Sequence, residues 1–276
     1  MKHPILMYAV VLGCAVHVNA AAQGSTYRRQ AGDTLLYREV TEERVQVQGE
    51  PQEYHRFRDA LVAVAFTGGD TMRAWYEDLQ VSDDERAPGQ TVGPEAVGLG
   101  FLITLDERGR GELLGSHDFP ESIVKIWDPQ EQFSAFFPVL PERALQSGLE
   151  WGDTLLNQPL SGNIRGVENY FAVHRVVGDS MIDKIPVVIV ESRVESTANG
   201  REGVDDPTRM VGTSNLTEHG RYYFSTRDGL LVRRTMTGEI DMTLTYFPPE
   251  GSWKDQTVTT FTTTIELVAI GSTPLR

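Results

Sequence analysis

The chain of 276 residues has a single cysteine, Cys14, so no disulfide can form within it. A domain of this length does not need one, because it can bury a full apolar core. Positive charge is also scarce: 25 Lys and Arg stand against 39 Asp and Glu, a formal net charge of −14. Such a surface repels phosphate backbones and anionic headgroups, which argues against nucleic acid and peripheral membrane binding. Arg28-Arg29 and Arg233-Arg234 are isolated pairs, not patches. Histidines at metal-ligand spacing are missing, since His55, His117, His174 and His219 lie far apart. The acidic runs Asp83-Asp84-Glu85 and Asp205-Asp206 lack the alternating carboxylates and central glycine of a calcium loop. No Gly-rich loop follows a strand and opens a helix. Neither a metal nor a cofactor is expected.

What is present begins at the N terminus. Lys2 and His3 precede the apolar run Ile5 to Val18, and the small residues Ala20-Ala21-Ala22 follow. A basic start, a short apolar core and an A-x-A-like exit read as a secretory signal peptide over residues 1–22. The run is too short to cross a hydrocarbon core of about 30 Å, so no membrane span is expected in the mature chain. Cleavage after Ala20 or Ala22 would give a soluble periplasmic or secreted protein. Val11-Leu12-Gly13-Cys14 resembles a bacterial lipobox, and lipidation of Cys14 would give an outer-membrane lipoprotein instead. Both exits are open, and both lead out of the cytoplasm.

Beyond the signal the chain reads as mainly β. Ala60 to Thr67 and Thr71 to Val81 flank Gly68-Gly69, a strong hairpin signal, although Met72, Trp75, Tyr76 and Leu79 also fit one face of a helix. Further hairpins are expected from Gly98 to Leu105 with Glu112 to Ser116, around the turn at Asp106 to Gly111. Val167 to Val177 and Ile182 to Glu195 flank Gly178-Asp179-Ser180, and Arg221 to Thr226 and Leu230 to Thr237 flank Arg227-Asp228-Gly229. Asp241 to Phe247 and Thr257 to Ile270 close the chain around a Pro-Pro-Glu-Gly loop, with the β-branched density of a half-exposed strand. The count is roughly ten antiparallel strands, in a curved, half-barrel-like sheet over residues 26–276.

One segment, 121–149, breaks the pattern. Asp128-Pro129-Gln130-Glu131 puts an N-cap, a proline at the first helical position and a glutamate at the third in helix-start order. Phe133, Phe136 and Phe137 then share a face, and Pro138 ends the helix. With Trp127 before and Trp151 after, they are the densest aromatic cluster of the chain. These five are the candidate ligand-binding residues: rings on a helix that covers a concave sheet either complete its core or line a ligand cavity. Phe137-Pro138-Val139-Leu140-Pro141 should be extended, because a residue before proline is pushed out of the α region.

The pattern also repeats. Gly32-Asp33-Thr34-Leu35-Leu36 recurs as Gly152-Asp153-Thr154-Leu155-Leu156, and Phe101 with a turn and Leu113-Leu114 is echoed by Phe224, Asp228-Gly229 and Leu230-Leu231. Similar offsets suggest two related halves, 26–120 and 150–276, joined by the helical insert. Chance recurrence of short turn motifs is the competing explanation.

Gly178-Asp179-Ser180-Met181 resembles the nucleophile block of GDS-type lipases and esterases. That family pairs the serine with a histidine three residues after an aspartate. Here His219 is the only histidine after Ser180, and Leu216 stands where the aspartate should be. Without a base the hydroxyl is no nucleophile, so a hairpin turn is the better reading and an enzyme is not expected.

As an architecture the chain is similar to bacterial lipoprotein-carrier and lipoprotein-receptor half-barrels. Its Phe137-Pro138-x-Leu140-Pro141…Gly148-x-x-Trp151-x-Asp153 run resembles secreted relatives of these. The resemblance implies an extracytoplasmic, non-enzymatic protein that holds a lipid or acyl ligand between a curved sheet and covering helices. It carries over no individual functional residue. An envelope structural or interaction protein with a protein partner and no ligand is the alternative.

Overall fold

Alternation of buried and exposed side chains shows why the chain forms strands. In β1 (Thr34–Val47), Leu35, Tyr37, Glu39 and Thr41 are buried, whereas Arg38 and Glu42 point to solvent. Ten further strands follow: β2 (Glu53–Gly68), β3 (Thr71–Asp83), β4 (Gly100–Leu105), β5 (Gly111–Ser116), β6 (Glu150–Pro159), β7 (Arg165–Ile182), β8 (Ile185–Glu202), β9 (Arg209–Ser225), β10 (Leu230–Phe247) and β11 (Trp253–Gly271). This is a computed structural model, and it describes residues 25–27, 32–84, 91–124, 129, 133, 136–159, 165–202, 209–247 and 251–271. The signal region with Cys14, and also Trp127, Asp128 and Glu131, lie outside the described residues.

All eleven strands form one antiparallel, unclosed and curved sheet in the order β5-β4-β3-β2-β1-β11-β10-β9-β8-β7-β6. Strands β1–β5 and β6–β11 are two meanders whose strand pairing is made by β1 with β11. The connection from β5 to β6 therefore starts at one edge of the sheet and ends at the other, so residues 117–149 must cross it. Ile123, Phe133, Phe136, Phe137, Leu140 and Leu145 of this connection sit in the core on the buried face. The route contains the short helix α1 (Glu121–Val124) and helical backbone at Pro129 and Phe133. Pro138 to Pro141 is free of regular structure, in keeping with the prolines.

One ambiguity resolves and one expectation shifts. The second arm after Gly68-Gly69 is strand β3, as the hairpin signal indicates, and not the helix its spacing also allows. A bulge at Glu77 explains the ambiguous spacing: Leu61 faces Asp78 but Val62 faces Tyr76, so Tyr76 and Leu79 both point inward although three residues apart. Gly178-Asp179-Ser180 is not a turn. It lies within β7, just past a register shift between Val176 and Gly178, and Ser180 is paired with Val187. The turn falls at Asp183 and Lys184, with φ of 46° and 68°, the positive pair that a two-residue hairpin of matching twist requires.

Candidate ligand face on the concave side

Side chains on the concave face fall into three zones along the strands. At the end marked by the turns 68–70 and 226–229, the face is apolar and filled. Phe133, Phe136 and Phe137 sit in the core with Tyr37, Tyr76, Phe101 and Phe224. Phe136 packs edge-on against Tyr37 at 5.3 Å between centroids and stacks on Phe133 at 5.6 Å, while Phe133 lies 4.6 Å from Phe101. Tyr27 adds contacts to Phe137 and Phe224 at 5.5 and 5.2 Å. Edge-to-face pairs of this kind stabilise beyond the burial of their area.

Hydrogen bonds pin the connection in place. Leu140 donates its N–H to the Arg108 carbonyl (2.7 Å), and Arg108 Nε returns a bond to the Leu140 carbonyl (2.9 Å). Tyr27 donates to the Pro138 carbonyl and Trp151 Nε1 to the Val139 carbonyl, at 2.8 and 3.2 Å. Each prolyl-flanked carbonyl is thus satisfied from a different element, which a buried extended segment needs. Arg110 in the β4–β5 turn reaches Asp153 on β6 at 3.1 Å, so the sheet's two edges converge at this end.

Next along the strands comes a polar belt. Arg58 on β2 pairs with Glu39 on β1 at 3.1 Å and with the Thr41 hydroxyl at 2.8 Å; Thr41 in turn bonds Thr263 on β11. Arg234 on β10 reaches Glu218 on β9 at 3.3 Å and the Phe136 carbonyl at 3.4 Å. Burial pushes the Glu39 carboxyl up, and the neighbouring Arg58 works against that shift. His174 stacks on Trp151 at 5.1 Å and meets the Tyr222 ring at 6.1 Å. Burial, aided by Arg234, lowers His174 to about 4, so the ring is neutral at pH 7.

The third zone is open. Leu216, Ile240, Met242, Leu244 and Phe261 share the concave face beyond the belt and remain half-buried. Leu216 stands opposite Ile240, and Phe261 opposite Gly238. A Cβ at 238 would come 2.5 Å from the Phe261 ring. Glycine there is what lets the ring lie down on the sheet.

The structure brings Phe133, Phe136 and Phe137 together at the filled end of this face, while Trp151 packs against the same core from the belt, on His174. Sequence reasoning did not find the belt or the open apolar row. Glu39, Arg58, Glu218 and Arg234 come from four strands, and only their inward phase within alternating segments could have marked them. Ser180 is exposed on a strand and has no strand-to-helix elbow. Among the described residues no cluster of three or more metal-ligating side chains occurs, and no helix is long and apolar enough to cross a membrane.

No protein-family profile matches the chain, and no curated protein does. Among solved structures it is similar to lipovitellin, studied for its lipid–protein interactions, at 11% identity and a TM-score of 0.46 over 90% of this chain; it spans 26% of that one. A domain described as that of an outer membrane lipoprotein-sorting protein from Vibrio parahaemolyticus matches at 11% identity and a TM-score of 0.22, over 90% of this chain and 89% of that. A porin of Rh. blastica matches at 10% identity and a TM-score of 0.22, over 84% and 99%. The likeness is one of architecture only.

Proposed function

We propose that the protein is an extracytoplasmic, non-enzymatic binder that holds a lipid or acyl ligand on the concave face of its sheet. The observation that carries this is the half-buried row of Leu216, Ile240, Met242, Leu244 and Phe261 beyond the polar belt. Apolar surface on a concave face, open at one end and bounded by a few fixed polar groups, suits a hydrophobic ligand. In this reading Phe133, Phe136, Phe137 and Trp151 form the closed end against which the ligand abuts. The signal-like residues 1–22, or the lipobox at Cys14, support export. The placement of Gly178-Asp179-Ser180 inside β7 supports the absence of hydrolase chemistry.

The same reading takes 26–120 and 150–276 as related halves. Its support is that Gly32–Leu36 leads into the first strand of one meander, and Gly152–Leu156 lies in the first strand of the other.

Displacement of a fluorescent fatty acid tests the ligand face. Ile240→Asp is expected to weaken the probe at least tenfold while the melting temperature moves little, because the side chain is only half-buried. Native mass spectrometry of protein from its own host should show co-purifying lipid. A wild-type protein that binds no probe and carries no lipid overturns the reading, and ester turnover lost in Ser180→Ala overturns the non-enzymatic part.

The second reading, an envelope interaction protein without a ligand, draws on the sheet's edges. Exposed apolar side chains gather there: Leu102, Leu113 and Leu114 on β4–β5, and Leu155, Leu156 and Phe171 on β6–β7. Patches of this kind mark protein contacts.

A further inference from the structure

The outer face of β6–β11, on the opposite side of the sheet from the aromatic floor, carries a trough of about 640 Å³. Its walls are two rows of side chains running across the strands. In one wall Arg221 stands opposite Glu191 and donates Nε and Nη2 to one carboxylate oxygen, at 3.0 and 2.6 Å. Arg175 in the same wall lies 3.5 Å from Glu150. That wall neutralises itself.

The facing wall does not. Arg193 on β8 stands directly opposite His219 on β9, close enough for both side chains to reach one ligand. The carboxylate that Arg193 engages, Glu195 at 2.7 Å, is two residues along its own strand and outside the trough. The trough thus gathers Arg175, Arg193, Arg221 and His219 against the two carboxylates of Glu150 and Glu191, in a chain with a net charge of −14. Cross-strand neighbours stand about 5 Å apart and same-face neighbours along a strand about 7 Å apart. A triangle of donors on that scale matches a tetrahedral oxyanion, whose oxygens accept short, charge-assisted bonds from guanidinium groups and a further bond from a ring N–H. Thr235 and Thr237 border it with hydroxyl groups, and no Phe, Tyr or Trp side chain lines it. The lining therefore favours an anion over a sugar face or a planar ring.

We propose that this trough binds a phosphate group, held chiefly by Arg193 and His219 with Arg221 at its flank. The site is independent of the concave face, so either can fail alone. A free phosphate monoester and a phospholipid headgroup share this chemistry.

Titration of the isotopically labelled protein with inorganic phosphate at constant ionic strength tests the site. Saturable shifts are expected at the amides of Arg193, His219, Gly220 and Arg221. Arg193→Ala should weaken binding at least tenfold, and Arg44→Ala, exposed on β1 outside the trough, should leave it unchanged. His219→Gln is the second variant should Arg193→Ala fail to fold. Shifts that do not saturate, that chloride reproduces, or that survive both variants overturn the proposal. Glycerol phosphate and vesicles containing phosphatidic acid separate the two sources: Arg193-dependent binding to either one supports the site and names its ligand.

Discussion

Arg38 on β1 and Glu266 on β11 stand directly opposite each other at the strand pairing that joins the two meanders. Each is extended outward into a ladder: Arg38 pairs with Asp59 on β2 at 2.6 Å, and Glu266 with Arg233 on β10. Charges alternate in sign across four neighbouring strands, so the ladder favours this one pairing of β1 with β11 over slipped registers.

Because the ladder is largely exposed, it should matter more for register than for stability. Glu266→Gln is expected to lower the melting temperature by roughly 1–3 °C, the scale of a surface pair in a domain of this size. The loss should shrink in high salt, where such pairs are screened. Thermal melts of both proteins at low and high NaCl check this.

Phe136 is 1% exposed and ringed by Tyr37, Phe133 and Phe137. Phe136→Ala should cost about 3–5 kcal/mol, the range for deleting a packed aromatic ring. If the ring only closes the end of the ligand face, urea unfolding will register the loss while fatty-acid affinity, measured well below the transition, changes less than threefold. A large loss of affinity with unchanged stability would instead make Phe136 part of the ligand surface.

His174 gives the fold an acid limit. Burial first, and then Arg234, hold its pKa near 4, against an ordinary 6.5. The unfolded chain therefore takes up the proton first. The stability linked to this group is complete above pH 6.5 and is lost as pH falls from 6.5 toward 4. The full loss is about 3 kcal/mol at 1.36 kcal/mol per pH unit. His174→Phe keeps a ring against Trp151 and removes the titration. Urea midpoints at pH 7 and pH 5 should fall for the wild type by clearly more than for the variant; equal falls would show that His174 is not the group.

Lys184 is held at φ 68° in the β7–β8 turn. A side chain there costs about 1–2 kcal/mol relative to glycine, partly offset by the greater freedom of glycine when unfolded. Lys184→Gly is expected to stabilise the protein by roughly 0.5–1 kcal/mol, measured by urea unfolding.

Local sequence decided much of this molecule. Gly68-Gly69, the turn before Gly111 and Arg227-Asp228-Gly229 mark hairpins that form where they stand, because turn residues and alternation act over a few positions. The aromatic density of 133–137 foretold an apolar face that had to be covered. Where a bulge intervened, the local signal turned ambiguous in β3 and misled in β7. The extra residue at Glu77 turned a strand's period of two into helix-like spacing, and the bulge before Gly178 carried β7 on to Ile182, past the glycine that looked like its turn.

The rest was decided only in three dimensions. Nothing near Thr34 or Gly271 in the chain says that β1 and β11 pair. That pairing alone sends β5 and β6 to opposite edges and draws residues 117–149 across the concave face. The belt of Glu39, Arg58, Glu218 and Arg234 and the facing pair of Arg193 and His219 follow from the same register. Side-chain alternation fixes which way each residue points, but its neighbour across the sheet is set by the strand order that buries the most apolar surface.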